Sequence, residues 1–100
     1  MTVNIENAGS KTFVTLTGRI DTTNAAQFQA DINPLLNADN PDIEIDCTDM
    51  EYTSSQGLRI FLILQKSVTM KGGSLVLKNM KPAVKEVFDI TGFSSIIRIV

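Results

Sequence analysis

The stretch that decides the fold runs from residue 43 to residue 64 and reads IEIDCTDMEYTSSQGLRIFLIL. In residues 43–47, apolar side chains alternate with acidic ones, which is the pattern of a strand with one buried face. Residues 58–70 are too apolar for periodicity alone to decide between helix and strand. Serines precede this run and Gly72-Gly73 close it, and its length favours a helix. A strand is therefore expected to pass directly into a helix.

Two adjacent hydroxyls, Ser54 and Ser55, lie where the strand gives way to the helix. The first four N–H groups of a helix have no partner inside it, and the aligned peptide dipoles leave partial positive charge there. A phosphate on either serine would be stabilised by this helix end. Serine is also among the best N-cap residues, so either side chain could serve only to start the helix.

The N-terminal part of the chain predicts a hairpin followed by a helix. Residues 3–5 and 14–17 alternate apolar and polar side chains on either side of turn residues 7–10. Apolar residues then recur at helical spacing from Asn24, which stands three residues before Gln27 as in a capping box. Pro34 is expected either to kink this helix or to end it near Asn33.

The C-terminal part predicts one more strand and one more helix. Residues 74–77 read as a short strand, Pro82 suits the first turn of a helix, and Gly92 suits its end. Residues 96–100 fit a last helical turn followed by an extended segment. The whole pattern predicts an α/β fold in one domain, residues 1–100, with a mixed β-sheet of four to five strands packed by about four helices.

Composition restricts the function. The chain has 100 residues, 43% hydrophobic and 20% charged, and a net charge of −2 with scattered basic residues, so no nucleic-acid partner is expected.

The sequence has no secretion signal and no apolar segment long enough to span a bilayer, which predicts a cytoplasmic protein without membrane insertion. Cys47 is the only cysteine, so an internal disulfide is impossible, and it is expected to be a small buried hydrophobe.

Catalytic and cofactor sites find little support in the sequence. Without histidine, a Ser-His-Asp hydrolase is excluded, and zinc sites built on Cys and His lose their ligands. The chain also lacks a Gly-x-x-x-x-Gly-Lys phosphate loop. We therefore expect no catalytic residues, no metal, no cofactor and no enzymatic activity.

Three motifs, in this order, resemble the STAS family of bacterial anti-sigma factor antagonists. They are residues 18–21 (GRID), residues 43–46 leading into 52–58 (YTSSQGL), and residues 82–93 (PAVKEVFDITGF). Together with the order of predicted elements, the likeness covers nearly the whole chain.

The resemblance implies a partner switch in signal transduction and transcription regulation. In such proteins the unphosphorylated form binds an anti-sigma factor that is also a serine kinase, and so frees a sigma factor. Phosphorylation of a serine at the start of the second helix abolishes binding, and a serine phosphatase restores it. By position that serine is Ser55, with Ser54 as a competing candidate. The implied partner-binding residues are Asp21, Thr22, Thr23, Ser54, Ser55, Gln56 and Arg59.

Many family members carry an acidic residue before the acceptor serine and a small residue after it, where this chain has Ser54 and Gln56.

Several of the implied partner-binding residues also have purely structural interpretations. Asp21 could cap or form a turn, and Thr22 and Thr23 are typical turn residues. Arg59 could be a solvated side chain on an exposed helix face.

A second function is compatible with the same predicted fold. In it the chain is a constitutive STAS scaffold subunit of a transporter ATPase complex or of a stress-sensing assembly, and Ser55 is never modified.

Overall fold

A computed structural model describes all 100 residues as a mixed α/β fold. Every predicted strand and helix is present, although several bounds differ. The elements are β1 (Thr2–Ala8), β2 (Lys11–Ile20), α1 (Ala25–Ile32), a 3₁₀ helix (Asn33–Asn37), β3 (Asp42–Thr53), α2 (Ser55–Met70), β4 (Ser74–Lys78), α3 (Pro82–Ile90), a second 3₁₀ helix (Phe93–Ser95) and β5 (Arg98–Ile99).

The five strands form one sheet in the order β1-β2-β3-β4-β5. The first pair is antiparallel and the other three pairs are parallel, which confirms the predicted mixed sheet. The helix count differs slightly from the expected four, because three α-helices are accompanied by two short 3₁₀ helices. No helix is both long enough and apolar enough to cross a membrane.

The start of α1 departs from the predicted capping box. The Asn24 side-chain oxygen accepts from the backbone N–H of Asp21 at 2.9 Å, and its amide donates to the carbonyl of Arg19 at 2.8 Å. Gln27 donates to Asp31 at 2.8 Å instead of reaching back to Asn24. Asn24 therefore occupies the N-cap position of α1, but its side chain closes the turn after β2 and makes no capping hydrogen bond. At the other end Pro34 acts as expected, since α1 stops at Ile32 and continues as a 3₁₀ helix.

Strand β3 is longer than its alternating pattern indicated. Thr15 and Thr17 of β2 pair with Asp46 and Asp49, so β3 holds one extra residue there. A second extra residue follows, because consecutive positions 18 and 19 of β2 pair with positions 50 and 52. Each bulge shifts which side chains face the core. Beyond Cys47 the buried residues accordingly recur every third position, at 50 and 53.

The three α-helices pack on one face of the sheet, where 21 apolar residues form a single core. Each helix contributes one phenylalanine. The ring centroids of Phe28 and Phe61 lie 5.4 Å apart, and those of Phe61 and Phe88 lie 5.7 Å apart, at tilted angles that favour aromatic contact. The opposite face of the sheet carries Glu44 between two lysines, with Phe13 and Val76 as the register partners of Glu44 on β2 and β4.

The junction of β3 with α2 requires close approach to β2. A Cβ atom at Gly57 would lie 2.3 Å from Oγ1 of Thr53 and 2.9 Å from Cγ2 of Ile20. Both neighbours are buried, so neither side chain has free space to move into. Only glycine lets the first turn of α2 sit this close to the sheet.

We expect Gly57→Ala to lower the free energy of unfolding by about 1–3 kcal/mol, because the added methyl overpacks this contact. Urea denaturation measures the change. Gln56→Ala is the matched control, since Gln56 is exposed on the same turn and its replacement should change stability by less than about 0.5 kcal/mol. Equal stabilities for the two variants would contradict the packing argument.

Cys47 is fully buried, as expected from the alternating pattern. Burial, with a smaller contribution from the neighbouring Asp46 carboxylate, raises the pKa of its thiol to about 12. We expect a thiol reagent at pH 8 to leave the folded protein unmodified and to label one site in urea, because only the thiolate reacts. Rapid, complete labelling of the folded protein would show that the interior at this strand opens readily.

Candidate functional site

The passage from β3 to α2 is made by a single residue, Ser54, in an extended conformation. Its backbone N–H donates to the carbonyl of Ile20 at 2.8 Å, and its side-chain oxygen accepts from the N–H of Gly57 at 3.3 Å. Ser54 is therefore the N-cap of α2. Only 9% of its surface is exposed, and its hydroxyl oxygen is engaged at the start of the helix.

Ser55 is the first residue of α2 and is exposed. Because the capping oxygen comes from Ser54, the Ser55 side chain is not needed to start the helix. The two adjacent serines thus have different environments, one enclosed and bonded to the backbone, the other facing solvent at the positive end of a sixteen-residue helix.

The predicted Asp21 and Thr23 lie beside this helix start, because Ile20 and Thr53 are register partners in parallel strands. A carboxylate oxygen of Asp21 accepts from the backbone N–H of Thr23 at 2.9 Å and from its hydroxyl at 2.5 Å. These two bonds, the hydroxyl's first, lower the pKa of Asp21. Both residues therefore take part in the turn after β2, and this turn holds an ionised carboxylate.

Thr22, Gln56 and Arg59 line a surface cavity of about 270 Å³ between α1 and α2. Arg59 is its only charged lining residue. Of the seven predicted site residues, six therefore lie at the surface around the start of α2, and Ser54 lies beneath them.

The apolar part of this cavity was not predicted from the sequence. Ala26 of α1 and Ile63 of α2 contribute to its wall, and Ile63 is 39% exposed although it is a large apolar residue. An apolar residue at a solvent-facing helix position was the available signal, but the uniformly apolar run from residue 60 to 64 concealed it.

A cation–π contact at the same end of the sheet was also missed. The guanidinium of Arg19 lies 4.6 Å from the ring centroid of Tyr52, and the two residues are register partners on β2 and β3. Their pairing follows from the second bulge and is therefore not visible in the sequence. This contact places a second arginine near the β3–α2 junction.

Chemically, the site presents a free hydroxyl to an external reagent. The Asp21 oxygen that accepts from Thr23 is already bonded, and no group of three or more acidic, Cys or His side chains is placed to hold a metal ion. The arrangement suits a surface that binds another protein, with one hydroxyl open to modification.

Comparisons with known proteins agree with this architecture. A family model described as the STAS domain matches residues 2–100. BtrV of Bordetella bronchiseptica is 37% identical over 81 residues, which covers 81% of this chain and 70% of BtrV. The anti-sigma-B factor antagonist of Bacillus subtilis is 36% identical over 86 residues, covering 86% of this chain and 78% of that protein.

Two solved structures of one protein show the same fold at lower sequence identity. The anti-sigma factor antagonist SpoIIAA in its unphosphorylated form superposes with a TM-score of 0.78 at 18% identity, covering 99% of this chain and 88% of SpoIIAA. The phosphorylated form of the Bacillus protein SpoIIAA gives a TM-score of 0.72 at 17% identity, covering 99% and 91%. From the match across residues 2–100 and the two relatives above one-third identity, the chain belongs to the STAS domain family.

Proposed function

We propose that this protein is an anti-sigma factor antagonist controlled by phosphorylation of Ser55. In its unmodified form it binds an anti-sigma factor that is also a serine kinase, and a sigma factor is released. The kinase transfers the γ-phosphoryl group of ATP to Oγ of Ser55, with loss of the hydroxyl proton and release of ADP, and binding ends. A serine phosphatase hydrolyses the ester and restores the binding form.

One observation carries this proposal: the exposed hydroxyl of Ser55 stands at the first residue of α2 while its neighbour Ser54 supplies the cap. A modification at position 55 therefore leaves the capping bond intact. The Bacillus subtilis relative is an anti-sigma-B factor antagonist, which supports an anti-sigma factor as the class of partner. That SpoIIAA has been solved in both phosphorylation states supports the type of switch.

The physical effect of the phosphate would be local. A phosphoserine carries about −1.5 to −2 charges at neutral pH, and a helix N-terminus accommodates that charge. The ionised Asp21 lies on the same surface, so the added charge would make this surface strongly acidic. A partner docked there in the unmodified state would meet repulsion and new desolvation cost.

Ser54 is the weaker acceptor candidate for a physical reason. A kinase must bring the hydroxyl in line with the phosphoryl group, and the Ser54 oxygen is enclosed and bonded to the N–H of Gly57. Phosphorylating it would require α2 to lose its cap. The proposed binding surface is accordingly made of Asp21, Thr22, Thr23, Ser55, Gln56 and Arg59, and we call it the switch surface.

Incubation with ATP and the candidate kinase from the same genome should add the mass of one phosphoryl group to the wild-type protein. Ser55→Ala should abolish the increase, because it removes the acceptor oxygen. Ser54→Ala should keep it while losing about 1 kcal/mol of stability with the cap. Intact-mass spectrometry and urea denaturation measure the two effects.

The same experiment separates the proposal from the scaffold function. If no kinase changes the mass and the protein instead co-purifies stably with an ATPase subunit, the constitutive scaffold is the correct function. Phosphorylation of Ser55→Ala on Ser54 would identify the buried serine as the acceptor.

Ser55→Asp should weaken binding to the anti-sigma factor at least about tenfold, a loss of about 1.4 kcal/mol, because it adds charge to the switch surface. The free energy of unfolding should stay the same or rise by about 0.3–1 kcal/mol, since an acidic side chain is favourable in the first helical turn. Isothermal titration calorimetry and thermal unfolding provide the two readouts.

Ser10→Asp is the matched control, since Ser10 is exposed in the hairpin turn outside the switch surface. It adds the same charge and should leave binding unchanged. Equal affinities for Ser55→Asp and wild type would contradict a role of position 55 in partner binding, and unfolding of Ser55→Asp would make that role structural.

A further inference from the structure

Arg59 stands one helical turn after Ser55, on the exposed side of α2. Residues four apart on a helix are neighbours, with Cβ atoms about 5–6 Å apart. Long side chains on a helix also lean toward its N-terminus, so a residue covers the turn before its own Cα. From position 59, that turn is the one that begins with Ser55.

Arg59 also lines the surface cavity between α1 and α2. Arg59 shares the lining with Gln56, in the first turn of α2, and with Thr22, in the connection before α1. Ile60 and Ile63 line the same cavity on the C-terminal side of Arg59, so the cavity extends along α2 in both directions from Arg59. The four-residue spacing and the preferred direction of long helical side chains therefore place the Arg59 side chain within reach of a phosphate on Ser55.

Arg59 is also free to accept an anion. The three ion pairs of the chain join Lys11 and Lys78 to Glu44, and Lys85 to Asp89, and none includes Arg59. Two other charged groups lie near the start of α2. Arg19 is stacked on Tyr52, and the Asp21 carboxylate is bonded to Thr23.

We propose that Arg59 is the intramolecular partner of a phosphate on Ser55, and that forming this pair withdraws the only charged group of the cavity lining from a docked protein. This inference rests on the proposed phosphorylation. Phosphorylation would then have two effects on the surface. The phosphate adds negative charge, and Arg59, the one free guanidinium in the cavity, becomes bound to the phosphate. Arg59 would exert this effect only by binding the phosphate.

The test uses protein with phosphoserine installed at position 55 by genetic code expansion, so that no kinase is needed. Titration of the phosphate followed by ³¹P NMR gives its second pKa. Arg59→Gln should raise this pKa by about half a unit relative to wild type, because an adjacent cation favours the dianion. Arg59→Lys should restore part of the shift, and about 1 M salt should shrink the difference.

Lys66→Gln is the matched control, since Lys66 is exposed on the same helix and lies eleven positions after Ser55. It removes the same charge and should leave the phosphate pKa at the wild-type value. Identical pKa values for wild type and Arg59→Gln, with both proteins folded by circular dichroism, would overturn the pairing. The proposed function fails separately, if no kinase modifies Ser55 in the wild-type protein.

Discussion

The hydrogen bonds of Ser54 hold three elements of this fold together. Its N–H bonds to the end of β2, its own backbone leads from β3 into α2, and its side chain satisfies an N–H group in the first turn of α2. The glycine at position 57 brings that turn into contact with Ile20. Because these contacts are buried, the start of α2 is fixed against the sheet, and the residues around it take defined positions on the surface.

Local patterns predicted most of the fold, and tertiary pairing determined the rest. The hairpin, α3 and the glycine at its end follow from residues close together in the sequence. The length of β3 does not, because its two extra residues have meaning only against the register of β2. The same holds for Asn24, whose side chain prefers the carbonyl of Arg19 to a capping role, a choice set by the turn after β2.

The candidate site was predictable to the extent that it lies at the ends of neighbouring strands. Asp21 and Ser55 follow β2 and β3, whose parallel pairing brings them together although 34 positions separate them. The sequence could not decide which serine would turn inward, since both are good caps. It also could not show that Ile63 would remain partly exposed beside Ala26, because that depends on how α1 crosses α2.

The separate environments of the two serines have a consequence for substitutions. The residue that caps the helix and the residue that is exposed are adjacent but distinct, so a substitution at one need not alter the role of the other. Under the proposed function, a substitution at position 55 would remove the phosphorylation site and leave the capping bond of Ser54 in place.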